Sequence, residues 1–331
     1  MTCRRVGLNL VPPGRDVVPT NQSMLEHRLA KLSVVATFLL LVIGGTVNPT
    51  GSSLACPEPT LVCHGQLFPP MIGGVFYEHG HRLAAMVVGF LQIALTVAIA
   101  MRRKDMRRIG LVALLMVCLQ GSLGAITVKY KLPWFVSTAH LMLAISYFGT
   151  LIYIAFLTRP TPAVMQLQQH DARLAELGDA RKWILIACAS VVTQLLIGAL
   201  VRHHGAAMVC LGVPTCTRGG DWFGTAGVQH LHMFHRVFGV IVAIISTYAS
   251  IVVAQRAKAW PSVRALAMFA PVLVAGQVLL GAWTVLSMRA VPVAVGHFAG
   301  AMSLWAVWLL LALFTAKRTA TGVIGNLGER A

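Results

Sequence analysis

Eight stretches of the chain stay apolar long enough to cross a bilayer, at about 25–47, 79–101, 109–128, 135–157, 183–201, 231–254, 264–287 and 292–316. A hydrocarbon core of roughly 30 Å takes about 17 to 25 residues of helix, and each stretch fits that length. Bare backbone polar groups are not tolerated in lipid, and no strand-like alternation that would close a barrel is present, so each stretch predicts a helix. The expected fold is an all-α integral membrane protein with eight transmembrane helices.

Composition supports the membrane as solvent. The chain is 57% hydrophobic and 11% charged, against about 25% charged in soluble domains, so a water-facing surface cannot be assembled from it. A net charge of +17 would suggest nucleic acid in a soluble protein, but here the basic residues follow the loops instead. The N-terminal tail (Arg4, Arg5, Arg15, Arg28, Lys31), the second, fourth and sixth loops and the C-terminal tail carry twenty Lys and Arg, and the other loops carry five. By the positive-inside rule both termini are cytoplasmic and the odd loops face outward. Residues 1–24 lack the apolar region of a cleavable signal, so the first helix is expected to serve as the insertion signal.

The chain also repeats itself. A shift of 154 residues lays 41–47 (LVIGGTV) on 195–201 (LLIGALV), Cys56 on Cys210, and His81-Arg82 on His235-Arg236. A shift of 157 lays Gln120, Gly124, Thr127 and Val128 on Gln277, Gly281, Thr284 and Val285, and His140 on His297. A three-residue insertion between the second and third helices of the unit accounts for the change of shift. The expected organisation is a tail at 1–24, a first four-helix half at 25–158, a linker at 159–182, a second half at 183–316 and a tail at 317–331. An even number of helices per half makes the copies parallel, related by a pseudo-twofold axis along the membrane normal.

Of the twelve histidines, the repeat recovers four, His81, His140, His235 and His297, one on each even-numbered helix and each close to its outer end. An ionisable residue inside a span is costly and marks a functional site by default. One histidine at a helix end is ordinarily interfacial or hydrogen-bonded, but four at repeat-related places, paired within each half, weigh against that reading. Imidazoles from facing helices suit a haem, whose iron takes one nitrogen on each side of a flat apolar ring. Zinc fits less well because no third ligand recurs in both halves. Arg82 and Arg236 are candidates to pair with haem propionates, with a snorkelling interfacial arginine as the plain alternative. His79, His203, His204 and His230 read as solvated or interfacial, and His27, His64 and His170 as loop or tail residues.

Two features break the symmetry. Glu78 stands one helical turn before His81, whereas the equivalent position in the second half is His232. A carboxylate there suits proton handling or cation stabilisation, or it simply favours the positive start of its helix. Cys56 with Cys63, and Cys210 with Cys216, lie in outward loops, where disulfides persist. Each pair closes a small loop and is by default a structural staple. An exposed Cys56–Cys63 bond would also suit electron exchange with a thiol partner. Cys3, Cys118 and Cys188 have no evident partner.

Taken together, these residues resemble the haem A synthase family in its cysteine-containing class. The likeness covers most of the chain: two four-helix halves, Glu78-x-x-His81-Arg82, His140, His235-Arg236, Gly296-His297 and the outer cysteine pairs. It implies that His81 and His140 bind the substrate, haem O, that His235 and His297 hold a haem b, and that Glu78 is the carboxylate needed for turnover. The implied reaction oxidises a ring methyl of haem O to the formyl group of haem A by two oxygen insertions, with water lost from the diol. No flavin, nucleotide or non-haem iron motif is present, so haem iron must carry that step. The product serves assembly of cytochrome oxidase, which makes a haem O synthase and a thiol or other electron donor on the outer side the expected partners. Nucleic acid is not one of them, and a homo-oligomer is compatible with the reading.

Two other classes compete. A di-haem b-type cytochrome would show the same four histidines, although electron transfer across a bilayer calls for haems at two depths. Lateral transfer or quinol oxidation on the outer side answers that objection. A transporter would also combine parallel repeats with buried histidines, and would be expected to break its helices at mid-membrane; Pro271 is the sole proline well inside a run. The short tail, without an Arg- and Ser-rich transit pattern, points to a bacterial plasma (inner) membrane.

Overall fold

The computed structural model describes residues 23–159 and 173–316. Cys3, Arg4, Arg5, Arg15, His170, most of the expected linker and the C-terminal tail lie outside the described residues. All eight expected spans are helices: α1 (Ser23–Val47), α2 (Gly73–Arg102), α3 (Arg107–Lys129), α4 (Trp134–Leu157), α5 (Ala180–His203), α6 (Gly227–Arg256), α7 (Pro261–Leu286) and α8 (Val291–Phe314). No named strand occurs among the described residues.

The differences from expectation sit at the starts of α2 and α6. Each has 30 residues, about 45 Å at 1.5 Å per residue, well over the hydrocarbon thickness. Their leading turns carry Tyr77, Glu78 and His79, or Gln229, His230 and His232, polar groups that a hydropathy reading stops short of. These turns are helical because the loops packed on them accept and donate the hydrogen bonds that lipid would not. His81 and His235 therefore lie in the third turn of their helices rather than in the first two.

Contacts divide the helices into two four-membered groups. In the first, α1 packs on α2, α2 on α3, α3 on α4 and α4 back on α1; in the second, α5 to α8 close in the same order. The groups meet through α4 against α5, α1 against α8, and α4 against α8. Leu41, Ile145, Phe148, Ile152 and Met302 fill the seam, with Trp305 packed against them. Each group has its own core towards the end opposite the disulfides: Leu95, Ile99, Tyr147, Leu151 and Ile154 in the first, and Ile184, Val253, Trp308 and Leu311 in the second. The first core buries one polar chain, in which Tyr147 Oη donates to Gln92 (2.8 Å), Gln92 to Thr96 (2.9 Å) and Thr96 to the Gly110 carbonyl (3.2 Å). Every link is satisfied, as an apolar surround demands.

Leu, Ile, Val and Phe side chains such as Phe90, Ile93, Ile244, Val272 and Leu279 point outward and stay uncovered, which suits a surface solvated by acyl chains. The turns joining α3 to α4 and α7 to α8 share an unusual backbone. Lys131 and Leu132 have φ of 54° and 65°, Met288 and Arg289 have 51° and 63°, and the Leu132 and Arg289 amides close on Thr127 O (2.8 Å) and Thr284 O (2.7 Å). These turns are related by the 157-residue shift.

Candidate functional site

The four repeat-related histidines are drawn into two pairs near the ends of the bundles that carry the disulfides. Within its pair, His81 neighbours His140, and His235 neighbours His297. Each ring rests on a glycine of a neighbouring helix. A methyl group added at Gly44 would come within 2.7 Å of the His81 ring, at Gly124 within 3.3 Å of His140, at Gly198 within 3.2 Å of His235 and at Gly281 within 3.2 Å of His297. Small residues let helices approach this closely in a membrane, and here they leave room for an imidazole edge. Glutamines add a second layer: Gln120 donates to the His140 carbonyl (2.9 Å) and Gln194 to the His235 carbonyl (3.0 Å). The Nδ1 atoms of His81, His140 and His297 are buried without a hydrogen-bond partner, whereas His235 Nδ1 lies 3.1 Å from Gln194 Nε2. Four sheltered imidazoles, three with an uncommitted nitrogen, in an apolar surround are a donor set that fits haem iron.

Above each pair a cysteine loop is clamped by an arginine. Cys56–Cys63 and Cys210–Cys216 are both disulfides. Arg82 donates to the carbonyls of Cys56 (3.2 Å), Glu58 (2.6 Å) and Thr60 (2.5 Å). Arg236 does the same for Cys210 (2.8 Å), Gly212 (2.7 Å) and Thr215 (3.0 Å). The terminal nitrogens of both guanidinium groups thus hold loop backbone. Glu78 belongs to the first clamp. It is 4% exposed, with one carboxylate oxygen paired to Arg82 (2.6 Å) and the other accepting the Cys56 N–H (2.9 Å). His232 occupies the corresponding buried place in the second half.

Several histidines are placed differently from the solvated reading. His79 is fully buried, with Nε2 2.9 Å from the Leu67 carbonyl, and one of its nitrogens lies within 4.8 Å of both Cys56 and Cys63 sulfurs. His203 Nδ1 is 3.2 Å from Thr138 Oγ1, and His204 stacks on Trp134 with centroids 4.3 Å apart, so both bridge the two groups of helices. His27 lies in the second turn of α1 with Nδ1 3.2 Å from the Ala155 carbonyl, His64 Nε2 is 2.9 Å from the Ala55 carbonyl, and His230 is exposed. The cysteine loop also departs from expectation. Cys56 and Cys63 are both 0% exposed, so a thiol partner reaches that bond only when the loop opens.

In the same loop, Glu58 accepts the N–H groups of His64 (2.9 Å) and Gly65 (3.0 Å). Partial desolvation opposes its ionisation, but the backbone N–H groups of Glu58 itself, Gly65 and His64 outweigh that and hold the carboxyl below its ordinary range.

The fold and site define a polytopic helical membrane protein with two pairs of half-buried imidazoles beneath two disulfide-closed loops. The chain belongs to the cytochrome oxidase assembly protein family, whose model matches residues 27–309. Among relatives, it is 27% identical over 281 residues to the haem A synthase of Exiguobacterium sibiricum, covering 82% of this chain and 90% of that one. It is 28% identical over 269 residues to that of Symbiobacterium thermophilum (78% and 85%), and 24% identical over 287 residues to that of Bacillus pumilus (82% and 90%).

Proposed function

We infer that this chain is a haem A synthase, an oxidoreductase that converts a ring methyl of haem O to the formyl group of haem A for assembly of cytochrome oxidase. The observation that carries this reading is the arrangement of His81, His140, His235 and His297, each on a glycine and paired within its own four helices, in a chain with the family's match along most of its length.

His81 and His140 hold the substrate haem O, and His235 and His297 hold a resident haem b. Haem, when bound, supplies the redox chemistry that no side chain here provides. The protein's share is to seat the rings between facing helices, to exclude water with the seam and bundle cores, and to set charge at the ring edge. Glu78 is the catalytic carboxylate, the sole acidic group on α2, and the first half is the one that carries it. Its grip on the Cys56 amide and Arg82 ties its position to the disulfide loop, so opening of that loop would free the carboxylate. Electrons enter from a thiol or other donor at the disulfide end. The two halves are related by a pseudo-twofold axis along the membrane normal, a reading supported by the matched turns at 131–132 and 288–289. The membrane is a bacterial plasma membrane with both termini cytoplasmic, the substrate comes from a haem O synthase, and association into a homo-oligomer is compatible with this arrangement.

The test is to express the chain with a haem O synthase in a host lacking haem A, then extract and separate the haems. Haem A is expected, and is expected to vanish in His81→Ala. Recovery of haem B alone, from folded protein supplied with haem O, would instead identify a di-haem b-type cytochrome.

A further inference from the structure

Two arginines at the disulfide end, Arg202 and Arg289, have neither an acidic partner nor a clamped loop among the described residues. Arg202 is in the last turn of α5, and Arg289 sits in the turn between α7 and α8. One terminal nitrogen of Arg202 points across the seam to the Gly44 carbonyl of α1 at 3.4 Å. Its guanidinium stands 5.9 Å from the centroid of the Phe298 ring, and its Nε–H is shut off from solvent with no acceptor. Arg289 is near enough for its charge to act on Arg202. Neither arginine joins the ion pairs Arg82–Glu78, Arg102–Glu26 and Arg103–Asp105. The carboxylates at this end are engaged elsewhere: Glu78 with Arg82 and Cys56 N–H, Glu58 with His64 and Gly65 N–H, and Asp221 with Phe223 N–H.

Two like charges close to one another, both half-buried and one with a buried donor pointing at nothing, repel each other and lose hydration. An anionic ligand removes both costs. The first histidine pair is the place for it. Gly44, whose carbonyl Arg202 approaches, is the residue on which the His81 ring rests. The repeat shifts place Asn48 and Leu132 opposite Arg202 and Arg289, so this pair of cations has no counterpart in the first half.

We propose that Arg202, backed by Arg289, is a carboxylate-binding subsite supplied by the second half to the first histidine pair, where it takes a propionate of the substrate haem. The inference rests on the reading of His81 and His140 as the substrate-haem ligands. It gives the contact expected of Arg82 to an arginine whose donors are not consumed by loop carbonyls.

The test is an absorption titration of the full-length protein, purified with haem b in the second pair, using ferric haem b and its dimethyl ester as probes. Wild type should prefer the free diacid, and Arg202→Gln should lower diacid affinity about tenfold or more while leaving ester affinity unchanged, the scale of one charge-assisted hydrogen bond. Arg202→Lys should fall between. Retention of the second-pair Soret band reports that each variant is folded. Equal loss of diacid and ester binding would make the contact steric and overturn the proposal, as would no change in either. A wild-type titration unaltered by His81→Ala would show that the first pair takes no haem, which removes the underlying reading and the inference with it.

Discussion

At the scale of single residues, the site is a set of polar groups each given one neighbour. Glu78 shows what this arrangement costs to disturb. Glu78→Gln keeps an acceptor for the Cys56 amide but loses the ion pair with Arg82. The expected result is loss of haem A formation with the second-pair haem retained, seen by chromatography of extracted haems; normal turnover would remove the carboxylate from the mechanism. Glu58 gives a pH signature. Its carboxyl lies below the ordinary range in the folded loop, so its contribution is fully present above the unfolded value of about 4.3 and is lost as pH falls through the lower folded value. Protection of the His64 and Gly65 amides from exchange should therefore persist from neutral pH down through the ordinary carboxylate value of about 4.3 and be lost only at lower pH, a step that should be absent in Glu58→Gln. The histidine ligand candidates were legible in the sequence because the repeat singled out four of twelve. The burial of His79 was not, because its repeat partner is Met233 and its hydrogen bond is to a loop backbone that no spacing rule places.

At the scale of helices and loops, the glycines carry more than the sequence reading gave them. Gly44, Gly124 and Gly281 stood in the aligned segments, yet a glycine in a membrane helix looks like any packing residue until the opposing ring is placed. Their clearances rank the outcomes. Gly44→Ala needs the His81 ring to move from a 2.7 Å approach, whereas Gly124→Ala meets His140 at 3.3 Å. Overpacking of this kind costs about 1–3 kcal/mol, so haem affinity at the first pair should fall about tenfold or more in Gly44→Ala and clearly less in Gly124→Ala; the reverse order would sink the packing argument. The long starts of α2 and α6 were missed for a related reason. Their leading turns are polar, and only the arginine-clamped loops make a helix of them favourable there. Arg82→Gln removes up to five backbone and side-chain contacts and should speed reduction of Cys56–Cys63 by an added thiol severalfold, followed by alkylation and mass spectrometry. An unchanged rate would show that the loop opens by another route.

At the scale of the whole molecule, hydropathy and charge recovered every span, because lipid imposes length and polarity on each helix separately. How the two groups of helices meet was not recoverable, since the seam is built from Leu41, Ile145, Phe148 and Met302, residues no different in kind from those facing lipid. The expected orientation is open to direct measurement: a fluorescent-protein fusion after Ala331 should fold and fluoresce on the cytoplasmic side, while a periplasmic reporter placed within 218–221 should be active. Both histidine pairs lie toward the same end, six to eight residues into α2, α4, α6 and α8. A charge moved from one pair to the other therefore travels in the plane of the bilayer and crosses almost none of the transmembrane field. Turnover should neither build nor drain the proton-motive force, and collapsing the membrane voltage with an ionophore should leave the chemistry running, which sets this protein energetically apart from the oxidase its product serves.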